Sequence, residues 1–476
     1  MAPWFLGAAV LLIICLTESG YGALHLPLYR RGGRLSRHET ANLTRLAAIV
    51  SEVEARYARC QREVGNNRVV RRWRPYEGKD ENDPQLIDVA GHQDRWYAEL
   101  QVGDPPQVLE VDIDMLSPDF YTIMTSSGTG SKYDTFTSGS YEETHGASDR
   151  VHSLCRRTSD HFHFQQESKQ QRPIRLSFPI CTPSKASGAT LAHSGTILGL
   201  SPDHGDVHSH NALSRLSSPS LLDQLFEQHM VHQRVWSVTL LDAESGILSL
   251  GGTIAQQVEE ANVRGSVELE HFGDPQATSD WVEQEVAKRI DFLMTPDAPW
   301  DGHFKWTNTQ GAAGWWTALM SGVWINGAKV LENQPVLFDI NVPFILAPPV
   351  AAHRFYEAIG GAKRLDPPPF DAFFAIPCLN TVNVAFEIGG WNFPVMAGEG
   401  TREDALYGPA GGKVSLGKVG DGTGYCVGAV LETTMGVRDE WIASGVRDMW
   451  VLGEPFFRGL GVAFDVEKGR VGVRVY

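Results

Sequence analysis

Val111-Asp112-Ile113-Asp114 and Val336-Leu337-Phe338-Asp339 are two apolar stretches of the chain that each end in an aspartate. Each is followed, much later in the sequence, by two apolar residues and a glycine: Ile197-Leu198-Gly199 in the first half and Val451-Leu452-Gly453 in the second. Glycine at such a position permits close approach of another backbone segment. The repeat predicts two similar halves, each of which delivers one carboxylate to a shared cleft.

The sequence around these motifs alternates short β-like runs with Gly, Pro and Asn, which is typical of a mostly-β protein. The 476 residues include 48 Gly and 26 Pro, and a chain of this length suits two or three compact units. Strands are predicted at 97–102, 108–113, 235–241, 247–250, 336–338 and 471–475. Helices are predicted at 39–63, 219–229, 281–294 and 350–359.

Charge is unevenly distributed along the chain. It carries 41 basic and 57 acidic residues, a net charge of −16, which argues against a nucleic-acid partner. Residues 23–72 nevertheless contain eleven Arg, no Lys and four Glu, for a net charge of +7, whereas 73–476 carry −22. A basic leader of this kind could lie across an anionic cleft and mask it until the leader is removed. The alternative is a solvated helical arm with no inhibitory role.

The N-terminus has the features of a secretory signal. Phe5 to Leu16 is an apolar run too short to span a bilayer, and Gly20-Tyr21-Gly22 offers small residues at a cleavage site. We therefore expect a signal peptide at 1–22 and a basic propeptide at 23–72. The product is expected to be secreted or to enter the secretory pathway, extracellular or in a vacuolar or lysosomal lumen, without a membrane anchor.

Two kinds of processing signal lie in the leader. Arg30-Arg31 and Arg71-Arg72 are exposed-looking dibasic pairs and therefore candidates for proteolytic processing. Asn42-Leu43-Thr44 is a glycosylation sequon, which makes the protein a candidate glycoprotein at Asn42 until the leader is removed.

Cysteine usage fits an oxidising compartment. Four cysteines follow the leader, and they suggest two disulfides; sequence neighbours would pair Cys155 with Cys181 and Cys378 with Cys426, although the sequence leaves the pairing open. No pair has the CxxC spacing of a zinc or redox site. The His-rich run at 203–210 has no distant matching ligand set, so neither a metal site nor a cofactor is predicted.

Several short motifs, in this order, resemble the pepsin-like aspartic peptidases. They are 96–97 (WY), 102–107 (VGDPPQ), 196–200 (TILGL), 246–252 (GILSLGG), 314–316 (GWW) and 450–458 (WVLGEPFFR). The resemblance covers about residues 90–476 and implies a mostly-β, bilobal fold with pseudo-twofold lobes at 90–255 and 256–476. It implies a central cleft for a peptide or protein substrate, a monomer, a zymogen prosegment in the leader, and a C-terminal disulfide between Cys378 and Cys426.

By this resemblance, Asp114 and Asp339 are the catalytic pair. Two carboxylates close enough to share a proton cannot both ionise cheaply, so one stays protonated and polarises the scissile carbonyl while the other activates water. The competing interpretation is that each aspartate only caps a turn at the end of its strand.

The residues that follow each aspartate depart from the family pattern Thr-Gly-Ser/Thr. They are Met115-Leu116-Ser117 and Ile340-Asn341-Val342. Apolar side chains replace the threonines that would cross-link the two loops, and Leu116 and Asn341 replace the glycines that let backbone N–H groups approach the carboxylates. We expect these donors to be lost, leaving Ser117 as the supporting residue. The family's flap tyrosine is also missing, because no Tyr lies between Glu142 and Ser194.

Three functions are open at this point. The first is a secreted aspartic endopeptidase, a hydrolase of reduced or altered activity. The second is a catalytically inactive pseudopeptidase that binds peptides or a protein partner. The third is an acid–base enzyme that acts on a small molecule. Retention of both carboxylates favours acid–base chemistry, because two adjacent buried acids are costly in a pure binding module.

Overall fold

The computed structural model describes the chain from Leu24 to Val475 with gaps. The described residues are 24–30, 36–37, 40–65, 95–116, 120–123, 133–143, 155–164, 173–181, 196–202, 220–231, 233–240, 245–253, 304–310, 314–380, 382–395, 414–420, 422–433 and 448–475. These residues form a mostly-β protein, as the sequence predicts.

The strands are numbered in chain order. Those of the leader and the first half are β1 (Leu24–Arg30), β2 (Ser36–Arg37), β3 (Thr40–Ala41), β4 (Trp96–Val102), β5 (Gln107–Asp114), β6 (Phe120–Ile123), β7 (Glu142–Glu143), β8 (Cys155–His163), β9 (Ile174–Cys181), β10 (Thr196–Gly199), β11 (Val235–Leu240) and β12 (Ser245–Leu250). Those of the second half are β13 (Lys305–Asn308), β14 (Thr317–Ile325), β15 (Ala328–Phe338), β16 (Ile345–Ala347), β17 (Lys363–Arg364), β18 (Phe374–Pro377), β19 (Val384–Ile388), β20 (Trp391–Pro394), β21 (Ser415–Lys418), β22 (Tyr425–Gly428), β23 (Val430–Glu432), β24 (Trp450–Leu452), β25 (Leu460–Asp465) and β26 (Arg470–Val475).

Helices are few in the described ranges. They are α1 (Leu43–Gly65), α2 (Leu221–Glu227), α3 (Pro349–Ile359) and α4 (Glu454–Phe457). Three of them confirm helices predicted from the sequence, and the fourth predicted helix, at 281–294, lies outside the described residues. No helix in the described part of the chain is both long and apolar enough to cross a bilayer.

The strands form three sheets in the described part of the chain. The largest has 13 strands in the order β13-β26-β25-β11-β12-β1-β4-β5-β10-β6-β9-β8-β7, and an extra pairing of β4 with β8 closes part of it into a barrel. The second has the order β20-β19-β14-β15-β24-β16-β23, and the third β17-β18-β22-β21-β3-β2. Strands from both halves of the sequence therefore share the largest sheet.

The leader strand β1 lies inside this sheet rather than at its edge. It pairs antiparallel with β12 on one side and with β4 on the other. Its leucines Leu24, Leu26 and Leu28 alternate along the strand and are buried, which is the pattern of a strand with one face on the core. The leader is thus part of the β framework of this chain.

The leader helix α1 also contributes to the hydrophobic core. Leu46, Ile49, Val50, Val53 and Tyr57 are buried and belong to one apolar cluster with residues of the second half. Their spacing places them on one face of a helix. The alternative that the leader is a solvated arm is therefore wrong, because its apolar face is packed against the body.

The dibasic pair Arg30-Arg31 was predicted to be exposed, and this is wrong for Arg30. The Arg30 side chain is only 5% exposed and lies 3.3 Å from the buried Glu454 carboxylate. The same carboxylate accepts a hydrogen bond from Arg458 at 2.5 Å. A buried charge needs such a partner, and Arg30 consequently anchors β1 instead of presenting it for cleavage. The other pair, Arg71-Arg72, lies outside the described residues.

Candidate active site

The two aspartates lie at the ends of strands that have equivalent parallel pairings. Asp114 is the last residue of β5, which runs parallel to β10 and places Gly199 opposite Asp114. Asp339 directly follows β15, which runs parallel to β24, and its N–H donates to the carbonyl of Leu452 at 3.1 Å. Each half thus supports its aspartate on the strand that ends in the apolar-apolar-Gly motif, as the sequence repeat predicts.

One guanidinium group joins the two aspartates. Arg56 of α1 donates from Nη2 to Oδ1 of Asp114 at 2.8 Å and from Nη1 to Oδ2 of Asp339 at 3.1 Å. The side chains of Arg56, Asp114 and Asp339 are 12%, 21% and 0% exposed. The structure therefore brings the two predicted catalytic residues to the same cation, at the spacing of one planar group.

Two neighbours of Arg56 on α1 make further contacts with the rest of the chain. The Tyr57 hydroxyl donates to Oδ2 of Asp339 at 2.7 Å, and its buried ring packs edge-on against Trp315 with centroids 5.9 Å apart. Glu54 accepts a hydrogen bond from the Thr433 hydroxyl at 2.9 Å. Arg56 and Tyr57 therefore both contact Asp339, and Glu54 links the same helix to Thr433.

The backbone donors to the carboxylates are present, contrary to the expectation that they are lost. The N–H of Leu116 donates to Oδ1 of Asp114 at 3.0 Å, and the N–H of Asn341 donates to Oδ1 of Asp339 at 3.1 Å. Neither residue is among those with a left-handed φ in the described chain. Because the backbone here does not need the left-handed region, a side chain is accommodated where the family pattern has glycine.

The site holds two carboxylates against one cation. Asp339 is fully buried, and a buried carboxylate is tolerated only when it is paired and hydrogen-bonded. Arg56, Tyr57 and the Asn341 N–H supply those partners while α1 is in place. Without the helix, the two carboxylates would lose the cation that they share.

A glycine next to the site is needed for space. A Cβ on Gly453 would lie 2.1 Å from the carbonyl oxygens of both Val342 and Phe344. The N–H of Glu454 donates to the Val342 carbonyl at 2.7 Å, and the N–H of Val342 donates to the Asp339 carbonyl at 3.1 Å. Gly453 therefore lets α4 approach the loop that carries Asp339.

The remaining predicted residues fall in several places. Cys378 and Cys426 form a disulfide. Cys155 and Cys181 lie directly opposite each other in the β8–β9 ladder, and their bridge stays a prediction. Asn42 is exposed and its Oδ1 accepts from the Arg45 N–H at the start of α1.

Other predicted features lie outside the described residues. They are Ser117, the signal peptide, the His-rich run at 203–210 and most of the segment without tyrosine that follows Glu143. Within the described ranges, no group of three or more His, Cys, Asp or Glu side chains is arranged to hold a metal ion.

Sequence reasoning did not single out Arg56 and Tyr57. Both lie within the helix predicted at 39–63, and Tyr57 continues the apolar spacing set by Leu46, Val50 and Val53. An arginine next to Tyr57 on this apolar helical face was the available signal, because a charge beside buried apolar residues needs a charged or polar partner.

Comparison with known proteins gives a limited match. No protein-family model matches the chain. A protein described as "Aspartic protease" from Phaffia rhodozyma is 23% identical over 162 residues, which cover 33% of this chain and 34% of that relative. The aligned part thus spans about a third of either protein. The match supports a distant relationship to aspartic proteases.

Proposed function

We propose that this chain is the self-inhibited, secreted precursor of a pepsin-like aspartic endopeptidase, with Asp114 and Asp339 as its catalytic pair at a cleft between two lobes. The observation that carries the proposal is the contact of one leader guanidinium with both carboxylates. Two strand-end aspartates that only cap turns have no reason to converge on one buried cation. The distant aspartic-protease relative supports the same reaction class.

The geometry supports general acid–base hydrolysis once α1 has left. With Arg56 removed, the two carboxylates share one proton between them. The ionised aspartate takes a proton from water as the water attacks the peptide carbonyl carbon, and the protonated aspartate donates to the carbonyl oxygen. Collapse of the tetrahedral intermediate breaks the C–N bond, and the departing amine receives a proton from the pair. The Leu116 and Asn341 N–H groups hold the two carboxylates in place throughout.

The same contacts make the inhibition sensitive to acid. Arginine stays charged at every pH at which the protein is folded, so the ion pairs are lost only when the carboxylates take up protons. Protonation of Asp114 or Asp339 leaves the Arg56 guanidinium with less compensating charge in a site where it is 12% exposed. Acid therefore favours departure of α1 and, with it, exposure of the cleft.

A peptide-binding pseudopeptidase is the second candidate. It is favoured by Met115 and Ile340, apolar residues at the positions where the resemblance predicts threonine hydroxyls. Fewer polar groups near the carboxylates would slow the reaction, since the loss of one donor at a reacting centre typically costs ~10²-fold in rate. The two candidates share the cleft and differ in whether bound peptide is cleaved.

The test uses the full chain produced through a secretory pathway. After incubation at about pH 3–5, the parent is expected to degrade an unfolded protein, and Asp114→Asn and Asp339→Asn are each expected to abolish that degradation. Asp104→Asn, at an exposed aspartate, is the matched control. Unchanged turnover in either site variant would remove that residue from the mechanism. A parent that binds a transition-state peptide analogue without cleaving peptides would be a pseudopeptidase.

A further inference from the structure

Asn341 makes three hydrogen bonds at the junction of the two aspartate-bearing segments. Its side-chain Nδ2 donates to the carbonyl of Ile113, the residue before Asp114, at 2.6 Å. Its Oδ1 accepts from the N–H of Trp96 at 3.0 Å. Its backbone N–H donates to Oδ1 of Asp339 at 3.1 Å. One residue, 6% exposed, therefore contacts one carboxylate directly and the backbone next to the other.

Met115 makes a second link in the opposite direction. The N–H of Ile340 donates to the Met115 sulfur at 3.3 Å, and both side chains are fully buried. Both links join the same two short segments, 113–115 and 340–341. In one, the Met115 thioether accepts from the backbone of Ile340; in the other, the Asn341 amide donates to the backbone of Ile113. Each aspartate lies within two residues of both links.

We infer that Asn341 is a positioning residue that, together with Met115, holds the two aspartates in register across the site. The inference rests on the proposed function. The backbone conformation does not explain why this position is Asn, because Asn341 has no left-handed φ that would favour Asn or Gly. Its amide instead satisfies a carbonyl and an N–H that belong to the other half of the site, and buried hydrogen bonds of this kind fix geometry.

Displacement of one carboxylate relative to the other should affect turnover more than substrate binding. A shift of about 1 Å in a reacting group costs ~10²-fold in rate. The Asn341 amide is buried, and both of its side-chain hydrogen bonds go to backbone groups of the chain itself, so we do not expect it to contact the substrate. Removing the amide is therefore expected to lower kcat and to leave KM nearly unchanged.

The experiment compares Asn341→Leu, which keeps the side-chain size and loses both amide hydrogen bonds, with Asn392→Leu at an exposed position of β20. In the acid-treated full chain, Asn341→Leu is expected to lower kcat about 10- to 100-fold, with KM within about threefold of the parent. Asn392→Leu should match the parent. Hydrogen exchange on the full chain is expected to increase at 96–98 and 113–116 in Asn341→Leu alone.

A second variant guards against loss of folding. Asn341→Asp keeps an acceptor for Trp96, but its oxygen donates to Ile113 only when protonated, so its kcat/KM should be confined to lower pH than that of the parent. The charged or titratable groups that face this position are Asp339 and Asp114 and, from α1, Arg56 and Tyr57.

The outcomes separate this inference from the proposed function. Unaltered exchange at 96–98 and 113–116 in Asn341→Leu would overturn the inference, whether or not the protein cleaves peptides. A parent-like kcat in Asn341→Leu, with activity lost in Asp114→Asn and Asp339→Asn, would overturn the inference and leave the proposed function intact. Turnover that persists in the aspartate variants would instead overturn the proposed function, and the exchange result would still decide the structural link.

Discussion

Arg56 lies 3.1 Å from Oδ2 of Asp339, although 283 positions separate the two residues in the chain. The contact is partly buried and joins the leader to the second half of the body. It joins the leader, which has a net charge of +7, to a fully buried aspartate of the body, which has a net charge of −22. A substitution at Arg56 can therefore weaken the binding of the leader while both aspartates stay unchanged.

The first prediction concerns Arg56→Met in the full chain. The substitution keeps an unbranched side chain and removes the cation, and breaking a buried ion pair in this way costs about 3 kcal/mol or more. The state in which α1 has left the aspartates should therefore be more than a hundredfold more populated than in the parent. Proteolysis of an unfolded protein is expected to begin at a higher pH than in the parent.

The control for Arg56 is Arg45→Ala on the same helix. At the start of the helix, the backbone N–H of Arg45 donates to Oδ1 of Asn42, and alanine retains this hydrogen bond. Proteolysis by Arg45→Ala is expected to begin at the same pH as in the parent. If proteolysis by Arg56→Met also began at the parent's pH, the inhibitory role of Arg56 would be contradicted.

Tyr57→Phe should loosen the leader less than Arg56→Met does. Phenylalanine keeps the edge-on packing against Trp315 and loses only the 2.7 Å hydrogen bond to Asp339. A hydrogen bond to a charged group contributes about 1.5–3 kcal/mol. The pH of onset is expected to rise by an intermediate amount in the same assay. A rise as large as that of Arg56→Met would show that the hydroxyl, and not the cation, dominates the inhibition.

Asp160→Asn should destabilise the protein in a pH-dependent way. Burial by itself would raise the pKa of Asp160, but hydrogen bonds from Ser140, Tyr133, the His161 N–H and Ser138 outweigh it and lower the pKa. A lowered pKa contributes stability above the unfolded value of about 3.9, and that stability is lost as pH falls through the folded pKa. The variant should cost about 2 kcal/mol at pH 7 and less in strong acid.

Urea unfolding at pH 7 and at progressively lower pH measures this difference. Asp134→Asn, at an exposed aspartate in the same region, serves as the control. A difference between Asp160→Asn and the parent that is constant with pH would mean that the carboxylate charge of Asp160 does not matter.

Gly453→Ala is expected to disrupt the site through crowding. The new Cβ would lie 2.1 Å from two carbonyl oxygens, those of Val342 and Phe344, so the loop after Asp339 has to move. Overpacking of this kind costs about 3 kcal/mol. Gly420→Ala is the matched control, because its Cβ would lie 3.5 Å from Thr40. Thermal unfolding should show a large drop in Tm for Gly453→Ala alone; similar drops in both variants would refute the crowding argument.

Peptide mapping without reduction is expected to link Cys155 to Cys181, as well as Cys378 to Cys426. The first pair is directly opposite in the antiparallel ladder of β8 and β9, a placement that brings the Cβ atoms of cross-strand neighbours close together. Free thiols at both Cys155 and Cys181 would contradict the prediction.

Local pattern was sufficient for part of the structure and of the candidate site. Short apolar, β-like runs bounded by Gly, Pro and Asn predicted the strands that end at Asp114 and just before Asp339, because such runs and turn residues can be recognised locally along the chain. Local sequence patterns also predicted α1, α2 and α3. The repeated apolar-apolar-Gly motif also identified the strands, β10 and β24, that pair with the aspartate-bearing strands.

The roles of Arg56, Tyr57 and Asn341 depend on contacts between segments that are far apart in the chain. A residue-by-residue pattern assigned Leu116 and Asn341 to lost function, whereas their backbone N–H groups reach the carboxylates and the Asn341 amide spans both halves. The type of an amino acid determines which hydrogen bonds its side chain can make. Only the packing of the chain determines which partner lies within about 3 Å of that side chain. The secondary structure could therefore be predicted from local sequence patterns, whereas the partners of these buried polar groups were determined by the tertiary fold.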